Sequence, residues 1–277
     1  MKLLRGHGLG NDYLILVDGP SITPELARAV CDRHTGVGSD GLLEPAIPVG
    51  TDYGVRIWNP DGSIAEKSGN GLRIFARWLH ALRGAPDRFT IWTGHDAVSC
   101  ICSPEHIRID MGRVRAEAGS IDLAGKPFAV VFVNVGNPHC VHFPETTDLD
   151  GLPWRGWGAA IEKHPHFPNH TNVQFARVLG PHDLEARIWE RGAGETQASG
   201  SSACAVVAAA VETGRIAPGT ARVHMPGGTL DIHVENGRVA LRGPAELVGE
   251  FTVFESYYPS LGIGSDSATS NETRKPT

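Results

Sequence analysis

The sequence predicts an α/β protein made of two duplicated, pseudo-symmetric domains, each a curled sheet around a central buried helix. Three observations lead to this prediction: many short β-like runs between turn residues, an apolar segment over 200–214, and a long internal repeat. The chain has 277 residues, 41% of them hydrophobic and 20% charged, which is enough to bury two cores. Its 34 glycines and 19 prolines indicate many tight turns and disfavour a long helical bundle.

Nine short runs rich in β-branched and aromatic residues are predicted to be strands. They are LILVD (14–18), GVRIW (54–58), RFTIW (88–92), HIRID (106–110), FAVVFVNV (128–135), NVQFARV (172–178), EARIW (185–189), ARVHM (221–225) and TLDIHV (229–234). Three segments are predicted to be helices: 23–33, which has Thr23 as N-cap and Pro24 at its first position, 69–84 and 200–214. The last is apolar on nearly all sides, as buried helices are, so it needs a sheet wrapped around it.

The internal repeat relates RIWNPDGSIAEKSGNG (56–71) to RIWERGAGETQASGSS (187–202), with an offset of 131 residues at the matched positions. Each copy continues through a helix, glycine turns and strands. The repeat predicts two domains, one over 1–117 with about 250–262 and one over 118–249, with a boundary near 115–125. The polar residues 263–277 are predicted to form a disordered tail.

Composition excludes several classes of function. The 25 Lys and Arg against 31 Asp and Glu give a net charge of −6, which disfavours nucleic acid and anionic membranes as partners. The N-terminus has no signal-peptide pattern and no run is long enough to span a membrane, so a cytoplasmic location is expected. Five dispersed cysteines without a CxxC argue against a disulfide framework and a cysteine zinc site. No metal site is predicted, because His164, His166 and His170 are expected to lie in an exposed loop.

In each copy of the repeat, Ser-Gly directly precedes a helix. The free N–H groups of a first helical turn carry partial positive charge, so two helix ends suited to a carboxylate are predicted. A pseudo-twofold axis would bring both to one cleft, with Ser68 and Ser199 on opposite faces of the ligand's α-carbon. That arrangement suits racemisation, in which one group removes a proton and the other returns one. Ordinary helix capping by serine is the alternative interpretation. The predicted anion-binding positions are Gly69, Asn70, Gly200 and Ser201.

Over about residues 1–255 the chain resembles the diaminopimelate epimerase family of amino-acid epimerases and racemases that work without pyridoxal phosphate. Six ordered blocks carry the resemblance: GHGLGNDYLILVD (6–18), CDRHTGVGSDGLL (31–43), NPDGSIAEKSGNGLRIFARWL (59–79), GNPHCVHF (136–143), FPNHTNV (167–173) and WERGAGETQASGSSACA (189–205). The resemblance implies a diaminopimelate epimerase-like fold, a homodimer, no cofactor and a small amino-acid substrate. It also implies interconversion of LL- and meso-2,6-diaminopimelate by two-base proton transfer, in the lysine and peptidoglycan precursor pathway.

The same blocks carry the family's site residues onto this chain. Arg191 would bind the distal carboxylate of the substrate, because a guanidinium pairs with a carboxylate through two hydrogen bonds. His139 and Glu190 would adjust the acidity of the catalytic pair. For any single asparagine, turn formation is the alternative interpretation. The implied substrate contacts are Asn11, Asn59, Gly69, Asn70, Asn137, Asn172, Glu190, Arg191, Gly200 and Ser201.

The chain departs from the family at the catalytic pair, where two cysteines are replaced by Ser68 and Ser199. A serine hydroxyl is far less acidic than a thiol, whose reference pKa is about 8.5, so it needs a neighbouring base. The candidate bases are His139, Glu190 and Lys67, although the side chain of Lys67 is expected to point away from Ser68. Four interpretations stay open: an engineered Cys→Ser double variant, a natural serine-bearing subgroup, an isomerase, racemase or dehydratase of another substrate, and a non-catalytic small-molecule-binding homologue.

Overall fold

The computed structural model describes residues 1–261, so the predicted tail over 263–277 lies outside the described residues. The strands of the first half are β1 (Lys2–Gly8), β2 (Asn11–Asp18), β3 (Leu42–Ala46), β4 (Tyr53–Trp58), β5 (Ile64–Ala65), β6 (Arg88–Trp92), β7 (Ala97–Cys102), β8 (Ile107–Arg113) and β9 (Arg115–Leu123). Those of the second half are β10 (Lys126–Asn134), β11 (Pro138–His142), β12 (Asn172–Gly180), β13 (Asp183–Glu190), β14 (Gly194–Thr196), β15 (Gly219–Met225), β16 (Gly228–Glu235), β17 (Arg238–Gly243) and β18 (Glu246–Thr252). The helices are α1 (Pro24–Cys31), α2 (Gly69–Leu82), α3 (Trp154–Glu162) and α4 (Gly200–Glu212), followed by a 3-10 helix over Glu255–Leu261.

Both halves contain the same elements in the same order. Two strands are followed by a helix, three strands, a second helix and four strands, first from β1 to β9 and then from β10 to β18. In the first half, β4 runs parallel to β6, the strand that follows the second helix. In the second half, the equivalent strand β13 runs parallel to β15 in the same way. The predicted duplication is therefore confirmed in the order and the pairing of the elements.

Within residues 1–261, the two halves share one continuous sheet of eighteen strands. Strands β8 and β17 pair antiparallel and join the halves. The last strand of each half then crosses to the other half, because β9 pairs with β10 and β18 pairs with β1. The crossings begin at Arg115 and Glu246, close to the predicted division of the domains, which itself stays a prediction.

Each half wraps its sheet around one buried helix. The apolar α4 packs against β9–β13 and β15–β17, and its residues Ala203–Val207 are completely buried. The amphipathic α2 packs against β1, β2, β7, β8 and β18 through side chains such as Leu72 and Phe75. The expectation of curled sheets around central helices is confirmed. Within residues 1–261, no helix is long and apolar enough to cross a membrane.

Helix α3, over Trp154–Glu162, was not among the predicted helices. It follows Pro153, has no side-chain N-cap and contains two glycines, so its sequence lacks the usual signals of a helix start. It is held by tertiary contacts, since Trp154 and Ile161 lie in a separate apolar cluster with Phe175. Helix α1 occupies the equivalent place in the first half and has its own cluster with Leu26 and Val30.

Candidate active site

The first turns of α2 and α4 meet at a contact between two glycines. A Cβ placed on Gly69 would lie 3.1 Å from the Cα of Gly200, and a Cβ on Gly200 would lie 3.1 Å from the Cα of Gly69. Only glycine at both positions lets the two backbones approach so closely. The N-caps of the two helices, Ser68 and Ser199, are therefore brought to one place from opposite halves, as the repeat predicts.

A cleft of about 630 Å³ opens at these helix ends, between the two halves. Every predicted substrate-binding residue and both serines line it, whereas His139 does not. The predicted residues that the structure brings together there are Asn11, Asn59, Ser68, Gly69, Asn70, Asn137, Asn172, Glu190, Arg191, Ser199, Gly200 and Ser201. Their roles toward a substrate stay predictions, but the cleft joins residues that lie far apart in the chain.

Ser68 is held by two hydrogen bonds. Its Oγ accepts the backbone N–H of Gly71 at 3.0 Å and lies 3.0 Å from the phenol oxygen of Tyr13. Tyr13 lies on β2, is almost completely buried and lines the cleft. Burial raises the pKa of Tyr13, the hydrogen bond with Ser68 opposes that rise, and the charge of Glu190 adds to it. Sequence reasoning missed Tyr13, whose place in β2 does not show what its hydroxyl reaches.

Ser199 has a different neighbour. Its Oγ accepts the N–H of Ser202 at 3.5 Å, and Glu190 lines the same cleft. Burial raises the pKa of Glu190, the hydrogen bond with Ser199 opposes that rise, and the charge of Asp40 adds to it. Since a raised carboxyl pKa makes a stronger base, Glu190 is the candidate base at Ser199. The two serines thus differ, with a phenol beside one and a carboxyl beside the other.

His139 lies behind the cleft and hydrogen-bonds to neither serine in the described structure. Its Nε2 is 2.9 Å from Asn137 Oδ1, and the side-chain amide of Gln174 donates to its Nδ1 at 3.0 Å. The same amide donates to the hydroxyl of Ser202 at 3.0 Å, so His139 reaches the start of α4 only through Gln174. Burial lowers the pKa of His139 to about 3, which keeps the imidazole neutral. Gln174 was not predicted from the sequence.

Lys67 is directed away from Ser68, as expected. Its ammonium donates to the carboxylate of Asp96 at 3.2 Å and to the carbonyl of Met111 at 3.1 Å. These contacts leave Lys67 outside hydrogen-bonding reach of its neighbour. Among the three candidate bases, Glu190 is the one whose rise in pKa is opposed by a hydrogen bond with a serine of the pair.

The side chain of Asn70 ties the two halves together beneath the cleft. Its amide donates to Asn11 Oδ1 at 2.9 Å and to the carbonyl of Ala198 at 3.2 Å. Asn11 in turn donates to the carboxylate of Asp40 at 2.9 Å. The amides of Asn11 and Asn70 therefore fix the cleft floor, which leaves the backbone N–H groups of the helix end to face a ligand.

Arg73 is a fully buried cation one helical turn behind this floor. It donates to Asn70 Oδ1 at 2.8 Å and to the carbonyls of Gly69 and Pro244 at 3.2 and 3.1 Å. Burial lowers the pKa of Arg73 to about 10, so it stays charged at neutral pH. No carboxylate pairs with it among the described residues. Its positive charge adds to that of the helix end and favours an anion in the cleft.

Asn172 shapes the turn that carries Arg191. Its side chain accepts the backbone N–H of Arg191 at 3.0 Å and donates to the carbonyl of Pro138 at 3.0 Å. The guanidinium of Arg191 is partly exposed and lies 3.8 Å from the carboxylate of Glu66 in the other half. Asn59 also has a turn role, since it donates to the hydroxyl of Ser63 at 2.9 Å.

Two buried glutamates, Glu44 in β3 and Glu162 at the end of α3, anchor the strands that lead into the site. The indole N–H of Trp58, at the end of β4, donates to Glu44 at 3.0 Å. That of Trp189, in β13, donates to Glu162 at 2.8 Å, and Glu162 also accepts the N–H of Gly192 at 2.9 Å. These bonds fix the chain before Asn59 and around Glu190.

The three clustered histidines separate in the structure. His164 bonds to the carbonyl of Asp122 at 2.8 Å, whereas His166 stacks on Phe132 with ring centroids 4.5 Å apart. His170 is exposed as expected, but it also lines the cleft. Residues 1–261 contain no group of three or more His, Cys, Asp or Glu side chains that could hold a metal ion.

Comparison with known proteins identifies the family. The family model described as diaminopimelate epimerase matches residues 3–117 and 131–248. The chain belongs to the diaminopimelate epimerase family. The diaminopimelate epimerase of Pelotomaculum thermopropionicum is 40% identical, with 94% of this chain and 99% of that protein covered. The diaminopimelate epimerase of a Synechocystis species is 41% identical, with 90% of this chain and 97% of that protein covered.

Solved structures share the family's fold at much lower sequence identity. A probable proline racemase from Agrobacterium radiobacter superposes with a TM-score of 0.72 at 14% identity, covering 96% of this chain and 97% of that chain. A phenazine biosynthesis protein of the PhzF family from Bacillus anthracis gives 0.71 at 14% identity, covering 92% and 99%. At this identity the likeness concerns the fold alone.

Proposed function

We propose that this chain interconverts LL- and meso-2,6-diaminopimelate by moving the α-proton from one face of the α-carbon to the other, without a cofactor. The observation that carries the proposal is the contact between Gly69 and Gly200, which sets two helix N-termini and their capping serines into one cleft. Two opposed hydroxyls beside one anion site are what a two-face proton transfer requires. The relatives at about 40% identity are named diaminopimelate epimerase, which agrees with this substrate.

The cleft supports binding of a diamino-dicarboxylate at two places. The reacting carboxylate would accept backbone N–H groups from the first turns of α2 and α4, where helix charge and the cation of Arg73 favour an anion. The distal carboxylate would pair with Arg191, which now faces only the carboxylate of Glu66 at 3.8 Å. Binding at both ends holds the α-carbon between Ser68 and Ser199.

Proton transfer on the Ser199 face would use Glu190. Glu190 lines the cleft with Ser199, so its carboxylate would take the hydroxyl proton of Ser199 as Ser199 Oγ takes the proton of the α-carbon. The planar carbanion that results would be stabilised by the N–H groups holding the carboxylate. Ser68 would then return a proton on the opposite face.

Solvent deuterium exchange tests the proposal. LL-diaminopimelate incubated with the chain in deuterium oxide should gain deuterium at one α-carbon and convert to the meso form. The double substitution of Ser68→Cys and Ser199→Cys should raise the rate strongly, because thiols are more acidic and stronger nucleophiles. The single substitutions are the controls, since each supplies one thiol only. No exchange in either the native chain or the double variant would refute the assignment.

Binding without turnover is the second candidate function, and the two serines at the helix ends favour it. A binder would raise its melting temperature with LL- or meso-diaminopimelate but would exchange no deuterium. Exchange with another amino acid, but not with diaminopimelate, would instead indicate a related racemase. Thermal-shift titration followed by the exchange assay separates these outcomes.

We also propose that the chain works as a homodimer in the cytoplasm, in the lysine and peptidoglycan precursor pathway. The family resemblance supports the assembly and the pathway. Light scattering coupled to size-exclusion chromatography tests the dimer. A mass of one chain, 29.6 kDa, at micromolar concentration would refute it.

A further inference from the structure

Tyr13 gives Ser68 a partner that Ser199 does not have. The phenol oxygen lies 3.0 Å from Ser68 Oγ, and the tyrosine lines the cleft beside the serine. At the equivalent helix end, Ser199 lines the cleft with a carboxyl, that of Glu190, whose rise in pKa it opposes. The duplicated site therefore carries different chemistry on its two faces.

The ring of Tyr13 is fixed in place by its surroundings. A Cβ placed on Gly41 would lie 2.4 Å from Tyr13 Cε1 and 2.7 Å from the carbonyl oxygen of Trp58. Glycine at position 41 thus leaves the space that the ring occupies. Since Tyr13 is only 7% exposed, its hydroxyl has little freedom to turn away from Ser68.

The hydrogen bonds of Ser68 leave room for Tyr13 to act as the donor. A hydroxyl oxygen has one proton to donate and two lone pairs to accept with. One lone pair of Ser68 Oγ accepts the N–H of Gly71 at 3.0 Å. If Tyr13 donates to the other, the proton of Ser68 is free to point at a ligand in the cleft.

We propose that Tyr13 is a positioning residue that makes Ser68 the proton donor of the pair. The inference rests on the proposed function. As the Ser68 O–H bond breaks and a C–H bond forms at the α-carbon, the Tyr13 O–H bond breaks and the hydroxyl of Ser68 is restored. The negative charge of the carbanion ends on the phenolate, and the proton that Glu190 received returns to the phenolate through water in the cleft, which both residues line. Because a phenol is far more acidic than a serine hydroxyl, the charge moves to the better acceptor.

The charges around Tyr13 keep it protonated at rest. Burial raises its pKa, and the carboxylates of Glu190 and Asp40 and the thiol of Cys31 act in the same direction, whereas only Ser68 opposes them. A phenol that is protonated at rest is ready to donate, so in one direction of the interconversion the Ser68 face gives the proton and the Ser199 face, next to Glu190, takes one. In the other direction every transfer runs backwards, as microscopic reversibility requires.

The reactivity of a cysteine introduced at position 68 measures the effect of its hydrogen bond with Tyr13, and the measurement does not require turnover. The five native cysteines are all buried, so the thiol introduced by Ser68→Cys is the accessible one. Its alkylation by iodoacetamide, followed from pH 5 to 10, gives its pKa. Adding Tyr13→Phe should remove a hydrogen bond to the thiolate and slow alkylation at pH 7 about tenfold, which equals one unit of pKa.

The matched control places the thiol at the other helix end. In Ser201→Cys, a partly exposed position that lines the cleft, adding Tyr13→Phe should leave the pH dependence of alkylation unchanged, which also shows that the Tyr13→Phe chain folds. An unchanged profile in the Ser68→Cys pair would overturn the inference, and so would equal shifts at both positions. Either result is independent of whether the chain epimerises diaminopimelate.

Turnover supplies the second measurement. In the native serine chain, Tyr13→Phe should lower kcat at least tenfold and change KM less than twofold. In the Ser68→Cys background the same substitution should cost at most threefold, because a thiolate holds its own charge. An equal loss of kcat in both backgrounds would mean that Tyr13 only packs against the site. It would overturn the proposed proton transfer from Tyr13 to Ser68.

Discussion

The Cα of Gly200 lies 3.1 Å from the position that a Cβ on Gly69 would occupy, so the starts of α2 and α4 are in direct contact. This contact sets the separation of the capping serines, because each serine immediately precedes its glycine. The relationship between the two faces of the cleft thus depends on two residues that lack side chains.

Gly69→Ala should destabilise the chain and reduce exchange. The new methyl would lie 2.7 Å from Leu241 Cδ2 as well as near Gly200, and overpacking of this kind costs about 1–3 kcal/mol. Gly156→Ala in α3 is the control, since nothing lies within 4 Å of its Cβ position. There alanine should be neutral or stabilise by up to about 1 kcal/mol. Urea denaturation measures both, and equal stabilities would contradict the close contact.

Arg73→Met should weaken the binding of diaminopimelate about tenfold. It removes the buried cation that supports the anion site through Asn70, and the lost charged hydrogen bonds should also cost about 1.5–3 kcal/mol of stability. Arg77→Met is the control on the same helix, because Arg77 donates to the carbonyls of Ala245 and Ser103 and not to Asn70. It should lose stability but keep the affinity. Calorimetric titration measures the affinity of both variants. The same loss of affinity in Arg73→Met and Arg77→Met would argue against electrostatic support of the anion site by Arg73.

His139 should make the fold sensitive to mild acid. Burial lowers its pKa from 6.5 to about 3, so below pH 6.5 the unfolded chain binds a proton that the folded chain does not. The stability contributed by the neutral imidazole is complete above pH 6.5 and falls by up to about 1.4 kcal/mol per pH unit below it. His139→Gln should flatten this slope between pH 7 and 5 in urea titrations. His95→Gln, at an exposed histidine, should leave the slope as it is.

Glu190→Gln should lower kcat about 100-fold or more, the usual loss when a general base is removed. The amide keeps the shape of the side chain but cannot take the proton of Ser199. Glu66→Gln is the control in the same cleft, where it faces Arg191 at 3.8 Å. It should leave kcat unchanged and lower KM, because Arg191 loses a competing carboxylate. Steady-state rates with LL-diaminopimelate decide, and a kcat for Glu190→Gln within a fewfold of the native value would exclude it as the base.

The sequence predicted the parts of the fold that have strong local patterns. The apolar residues of α4 and the repeated Arg-Ile-Trp strands gave the buried helix, the duplication and its offset. By contrast, α3 begins after Pro153 without a cap, and β5 has only two residues, so tertiary contacts decide both. The crossing of β9 and β18 depends on long-range pairing, which local pattern does not encode.

The motifs of the sequence predicted which residues line the candidate site. They did not predict the individual side-chain hydrogen bonds behind those residues. The repeat placed Ser68 and Ser199 together because both precede helices at equivalent positions. Nothing in the spacing of residues shows that the hydroxyl of Tyr13 reaches Ser68, or that Gln174 stands between His139 and Ser202. Nor does the sequence show that Arg73 of α2 is fully buried.

The crossing strands also determine when the molecule can become complete. During synthesis on the ribosome, β1 is made first, but its outer neighbour β18 follows only after nearly all other elements, since Leu3 pairs with Phe251. Until then the first half has an open edge, and contacts between such distant segments form slowly. The two halves repeat one another, yet each needs a strand of the other to complete the pairing of its first strand.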